Sequence, residues 1–168
     1  FIPSKDKVDT QAQFGLISGE YLALVVGAAH YTKRIPIEKL IEISAKSTLP
    51  IVCLGGKDDV EIGEKLAKAF PLKVKNACGM VNLNQSASLV QQAKQVITAD
   101  TGLMHIAAAF QQNIVVLWGN TTPQLGMYPF LESKKFQSLE VPNLACRPCS
   151  KIGYKACPKK HFACMQEQ

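Results

Sequence analysis

The sequence predicts an α/β fold, a parallel sheet covered by helices on both faces. Short runs rich in Val, Ile and Leu recur along the chain, and the stretches between them place apolar residues at helical spacing and are too long for hairpins. Size sets a limit as well: 168 residues with 47% hydrophobic content can bury one good core and are too few for two large ones. One domain is expected.

The elements follow in order. "EYLALVVGA" (20–28) reads as a strand ending in glycine, and "PIEKLIEISAKS" (36–47) as a helix with Pro36 suited to its first turn. "LPIVCLGG" (49–56) is a second strand with a glycine stop. "DDVEIGEKLAKAF" (58–70) is a helix opened by acids, which the positive end of the helix dipole favours, and closed near Pro71. "LKVKNACG" (72–79) is a shorter third strand, followed by "NQSASLVQQAK" (84–94) as a helix. "QVITA" (95–99) and "DTGLMHIAAAFQQ" (100–112) repeat the unit, and "NIVVLWG" (113–119) is a fifth strand.

Strand order is not readable from one sequence, but open sheets of this class bind ligands beyond the carboxyl ends of their strands. The loops at those ends, "GAAHYTK", "GGKDD", "ADTG" and "GNTTP", carry small or polar residues and should share one rim. The "DTG" junction carries the most chemistry. At a helix amino terminus the first N–H groups lack partners and the dipole is positive, so an anion is stabilised there. Asp100 or Thr101 can cap the helix, the Thr101 hydroxyl can donate to a phosphate, and Gly102 lets a ligand approach without a Cβ in the way. His105 lies one turn further on, on the face of Thr101. The plainer reading is that Asp100 and Thr101 merely cap a buried helix and His105 is a core histidine. Lys33, in the loop after the first strand, would add a cation on the same rim. A helix terminus, a lysine and a base resting in neighbouring loops together describe a nucleotide diphosphate site.

Lys and Arg outnumber Asp and Glu by 19 to 13, a formal charge of +6 that favours anionic ligands without naming one. Basic residues concentrate only in "RPCSKIGYKACPKKH", so a nucleic-acid arm is not the first reading. No run approaches the ~20 apolar residues of a membrane span, and the first residues lack the apolar centre of a secretory signal, which reads as a soluble domain. The chain opens on Phe1 followed by polar irregular sequence, which reads as a fragment whose upstream portion was removed or never included. Cys53 and Cys78 read as small core residues. Cys146, Cys149, Cys157 and Cys164 form a Cys-x2-Cys pair followed by two more thiols, compatible with a structural zinc site, with disulfides or with free thiols. In a reducing cytosol disulfides are the less favoured of these.

In sequence order, "GAAHYTKRIP", "LGGKDD", "ACGMVNL", "ITADTGLMHIAAAF", "VVLWGNTTPQLGMYP" and "CRPCSKIGYKACPKKHFACM" resemble the carboxyl-terminal half of the heptosyltransferase family, glycosyltransferase family nine. The resemblance implies a GT-B glycosyltransferase, with two facing Rossmann-like domains, the donor ADP-sugar on the second and the acceptor on the first. This chain would be the donor half. Residues 1–19 would be an interdomain linker or residual segment, 20–142 the Rossmann-like nucleotide-sugar-binding domain, and 143–168 a cysteine-rich carboxyl-terminal tail packing on it.

The resemblance also implies roles. Lys33 matches the lysine that meets the donor phosphates, while Ala28 and Ala29 stand where hydroxyl residues are common. Thr101 and Gly102 match the diphosphate-binding turn, Asp100 the acid associated with the sugar, and His105 the histidine of the same helix. Val81, beside Met80, falls where the family packs on the base, Gly55 and Gly56 border the base pocket, and Gly119 lies in the next rim loop. Lys57 to Asp59 depart from the acidic residue usual near the ribose. Family members invert the anomeric centre without a metal or other cofactor, using a carboxylate base from the amino-terminal domain. The implied setting is cytoplasmic, with the full-length protein peripheral at the inner face of the inner membrane and acting on a lipopolysaccharide or lipid-linked acceptor. A sugar-nucleotide epimerase-like domain and a zinc-ribbon nucleic-acid module are the rival readings, and the latter lacks the interleaved aromatic platform expected for single strands.

Overall fold

The structure, a computed structural model, describes residues 1–168 except the side chain of Ser133. The five expected strands form at Leu22–Val25 (β1), Ile51–Leu54 (β2), Val74–Asn76 (β3), Gln95–Ala99 (β4) and Ile114–Leu117 (β5). A sixth, Phe136–Leu139 (β6), pairs on the edge of β5. All pairings are parallel, in the order β3-β2-β1-β4-β5-β6. The chain therefore grows outward from β1 in one direction, then reverses at β4. "FQSL" of β6 carries no apolar run and its middle residues are exposed, which is why sequence patterning passes over this edge strand.

β1 and β2 are buried at every position, because helices cover both faces of the sheet. Successive side chains then enter different cores. Ala23 and Val25 join Tyr21, Leu89, Val96, Met104 and Trp118 on one face, whereas Leu22 and Leu24 join Leu40, Ile51, Leu66, Val74 and Met165 on the other. Cys53 and Cys78 lie in the second core, as small buried residues.

The covering helices are Ile37–Lys46 (α2), Val60–Ala69 (α3), Leu83–Gln91 (α4) and Gly102–Ala109 (α5), with short helices at Thr10–Phe14 (α1) and Ala163–Gln166 (α6). α4 opens on a reciprocal cap: the Gln85 N–H donates to Asn82 Oδ1 and the Asn82 N–H donates to Gln85 Oε1, each at 2.9 Å. α5 starts two residues later than the pattern suggested, since Thr101 holds an extended backbone (φ −139°, ψ 167°).

The first residues run along α4. The Val8 N–H donates to Ser88 Oγ at 2.9 Å, Gln92 Nε2 donates to Val8 O at 3.0 Å, and Ile2, Val8 and Leu16 are buried. Asp6 accepts from Asn82 Nδ2 at 3.0 Å and Asn84 Nδ2 at 2.8 Å, and these bonds to its ionised form hold its carboxyl below the ordinary range. A lowered folded pKa means the contribution is complete above the unfolded value of ~3.9 and is lost as pH falls through the folded value. Asp6→Asn is expected to lower Tm at neutral pH, and the gap to wild type should close on acidification. A gap independent of pH in thermal melts would show that the carboxylate charge is not what these amides hold.

Candidate functional site

A cavity of about 470 Å3 opens beyond the carboxyl ends of β1, β2 and β4. It lies at the β1/β4 reversal, where the diverging loops of a doubly wound sheet leave a crevice. Gly27, Ala28 and Ala29 line it from the loop after β1, Gly55 and Gly56 from the loop after β2. Val81, Thr101 and Gly102 complete the predicted residues that meet there. Gly79, at φ +69°, makes the turn that presents Val81 inward and leaves Met80 69% exposed.

Four other predicted residues stand behind or beside this space. Lys33 Nζ lies 2.7 Å from Asp100 Oδ2, with the two side chains 11% and 5% exposed, and Thr121 Oγ1 donates to the same oxygen at 2.9 Å. Loops following β1, β4 and β5 thus meet on one buried carboxylate. Gly119 sits at the same seam as a packing residue, since a Cβ there would fall 2.4 Å from Thr32 O. His105 is exposed on α5 and does not line the cavity.

The amino terminus of α5 faces the cavity through Thr101, Gly102 and Leu103. Sequence reasoning expected a side-chain cap here, and none forms. Asp100 is committed to Lys33 and Thr121, and the Thr101 hydroxyl lies 3.0 Å from Thr98 Oγ1. Thr98 Oγ1 also donates to Ala99 O at 2.9 Å. The first-turn N–H groups are left without a side-chain acceptor beside a cavity, and a Cβ on Gly102 would meet nothing within 4 Å. That end can take an anion.

Three charged residues on the cavity wall, Arg34, Asp58 and Asp59, were outside the predicted set. Asp59, buried, accepts from the Gly56 N–H through Oδ2 at 2.8 Å, and Arg34 Nη1 lies 3.7 Å from its Oδ1. Arg34 Nε donates to Ala28 O at 3.0 Å. Their sequence signals were modest: an arginine beside Lys33, and the two acids in "GGKDD", all ordinary at a helix start.

Residues 2–160 match the model of "Glycosyltransferase family 9 (heptosyltransferase)". The chain belongs to that family. Lipooligosaccharide heptosyltransferase 2 of Haemophilus influenzae is 34% identical over 90 residues, which are 51% of this chain and 26% of that protein. The structure of the Escherichia coli ADP-heptose lipopolysaccharide heptosyltransferase II superposes with TM-score 0.70 at 24% identity, covering 99% of this chain and 52% of that one. The E. coli heptosyltransferase WaaC solved with ADP gives TM-score 0.62 at 27% identity, covering 74% of this chain and 39% of that one. The chain therefore spans about half the length of the heptosyltransferase II chain it matches.

The cysteine-rich end of this family 9 chain departs from one expectation. Among the described residues no group of three or more His, Cys, Asp or Glu is arranged to hold a metal ion, so a structural zinc at Cys146, Cys149, Cys157 and Cys164 is not supported. All four are free thiols. Cys164 packs in the core with Phe162 and Met165, and burial, with the thiols of Cys149, Cys157 and Cys146 adding to it, pushes its thiol up to about 11. Cys146 Sγ instead lies 3.8 Å from His161 Nε2. Folding is secured here by Arg147, which donates to Gly119 O (2.7 Å), Val141 O (3.1 Å) and Thr121 O (2.9 Å) and pairs with Glu140 at 3.1 Å.

Burial also pushes Cys78 up to about 12, and Cys53 further. In the folded chain at neutral pH, alkylation followed by mass spectrometry is expected to label the half-buried Cys146, Cys149 and Cys157 and to spare Cys53, Cys78 and Cys164 until denaturant is added. Equal labelling of all six would contradict this burial. Lys33→Met, which strands the buried Asp100 carboxylate, should cost about 3 kcal/mol in urea unfolding, and adding Asp100→Asn should restore part of it. A loss below ~1 kcal/mol, the range of exposed ion pairs, would mean that solvent screens the pair.

Proposed function

We propose that this chain is the donor-binding half of a family 9 glycosyltransferase, holding an ADP-sugar, ADP-heptose foremost, for inverting transfer to a lipopolysaccharide core or related glycan. The observation that carries the reading is the uncapped amino terminus of α5 opening on the cavity at the β1/β4 reversal. Support comes from the heptosyltransferase relatives and from WaaC, 27% identical and solved with ADP. In this reading the base lies between Val81 and the Gly55–Gly56 turn, and the diphosphate lies on Thr101 and Gly102. Residues 20–142 form the donor domain, 143–168 brace it, and 1–19 lead in from the acceptor side.

The chemistry asked of this half is positioning and charge stabilisation. As the bond from sugar to phosphate breaks, negative charge grows on the leaving diphosphate, and fixed N–H groups at a helix terminus stabilise it without reorganising. The base that takes the acceptor hydroxyl proton belongs to an amino-terminal domain, so the chain by itself binds nucleotide and transfers little or no sugar. No helix among the described residues is long and apolar enough to cross a membrane. The full-length protein would meet its acceptor peripherally, from the cytoplasmic side.

ADP at about a hundred times its Kd is expected to raise the Tm of the chain by roughly 5–10 °C. UDP should shift it less and a single-stranded oligonucleotide not at all. No shift with ADP, or an equal shift with the oligonucleotide, would overturn the proposal.

A further inference from the structure

Resting on that nucleotide reading, we infer that Ser86 reads the nucleobase, its hydroxyl meeting the amino-bearing edge of an adenine seated against the start of α4. Ser86 lines the cavity and is only 7% exposed. A serine inside a helix commonly returns its hydroxyl to the carbonyl one turn back. Here the Ser86 N–H donates to Asn82 O at 2.8 Å, and the hydroxyl has no hydrogen-bond partner among the described residues. Nor is it one of the polar side-chain atoms sealed in the interior without a partner, so it opens on the cavity. Ser88, two residues on and on another face of the helix, is spent on the fold instead, accepting from the Val8 N–H at 2.9 Å.

The surroundings select a base over a phosphate. Leu83 lies three residues before Ser86 on the same helix face, Val81 directly precedes the cap residue Asn82, and both line the cavity. Val25 and Leu103 add further apolar wall, and α4 carries no lysine or arginine. A lone hydroxyl among apolar side chains suits a flat ring with a few polar edge atoms, where a charged group would find no counter-charge. The other hydroxyl on the wall, Thr101 Oγ1, already lies 3.0 Å from Thr98 Oγ1. Depth selects the edge. Leu83 is 67% exposed at the mouth, and Ser86 lies beneath it. A base whose sugar leads away to a diphosphate on α5 enters with its far edge first, which in adenine holds the amino group between two ring nitrogens. A serine hydroxyl both donates and accepts, so it can take the amine or serve a ring nitrogen.

Calorimetric titration of the full chain with ADP, inorganic pyrophosphate and three ADP analogues tests this, the analogues lacking the amino group or carrying carbon for the ring nitrogen on either side of it. Ser86→Ala is expected to weaken ADP about three- to tenfold, the scale of one neutral hydrogen bond, and to leave pyrophosphate unchanged. The analogue without the atom that Ser86 meets should bind wild type and variant equally, because its bond is already lost. Without ligand the variant should melt no lower than wild type, since the hydroxyl has no partner in the fold and alanine favours a helix. Unchanged ADP affinity, a loss shared by pyrophosphate, or an equal loss for ADP and all three analogues would overturn the inference and leave the nucleotide reading intact. A ligand-free variant that melts well below wild type would also overturn it, by giving the hydroxyl a structural role. A wild-type chain that does not bind ADP would overturn both.

Discussion

The contact of Lys33 and Thr121 with the Asp100 carboxylate is the constraint around which the binding rim is organised. Three loops, following the first, fourth and fifth strands, have no covalent reason to converge. A carboxylate taken out of water needs a counter-charge and filled lone pairs, so burial of Asp100 is tolerable only where Lys33 and Thr121 both arrive. The seam is reinforced from outside. The Tyr154 N–H donates to Thr32 Oγ1 at 2.8 Å, the Cys149 N–H donates to Asn120 O at 3.2 Å, and Arg147 ties the loop after β5 to the final segment. The basic carboxyl-terminal stretch thereby acts as a strap across the seam.

With the acid and lysine withdrawn into the seam, the cavity wall is made of what stays behind. Thr101 and Gly102 bring uncapped backbone at the positive end of α5, and Ala28, Ala29, Gly27 and Gly55 bring small size rather than hydrogen bonds. Small residues let backbone come close to a ligand, and they leave room for the Asp59 carboxylate beneath the rim.

Residue types with strong chemical associations were placed by the fold in structural roles. The spacing of the four late cysteines suggested a ligand set, but no metal-holding group forms among the described residues, and Cys164 belongs to the same core as Leu24 and Met165. His105 shows the converse. Helical spacing put it on the face of Thr101, yet Thr101 lines the cavity while the histidine is exposed outside it. Two acids at a helix start in "GGKDD" look interchangeable in sequence, yet only Asp59 is buried against Arg34.

The sequence alone determined the parallel α/β class, five of the six strands and the rim where polar loops gather, because buried strands and amphipathic helices leave periodic signatures that each segment carries by itself. It also determined the family resemblance and the position of "DTG" at the start of a helix, since motif order and helix-end chemistry are local. The tertiary structure alone decided the order of strands, the edge strand with no apolar run, the pairing of Lys33 with Asp100 rather than with the cavity, the burial of Asp59 beside Arg34 and the burial of Cys164 in the core. Those outcomes depend on which distant residues share a buried space and must satisfy one another's charges and hydrogen bonds there, a condition that no window of neighbouring residues encodes.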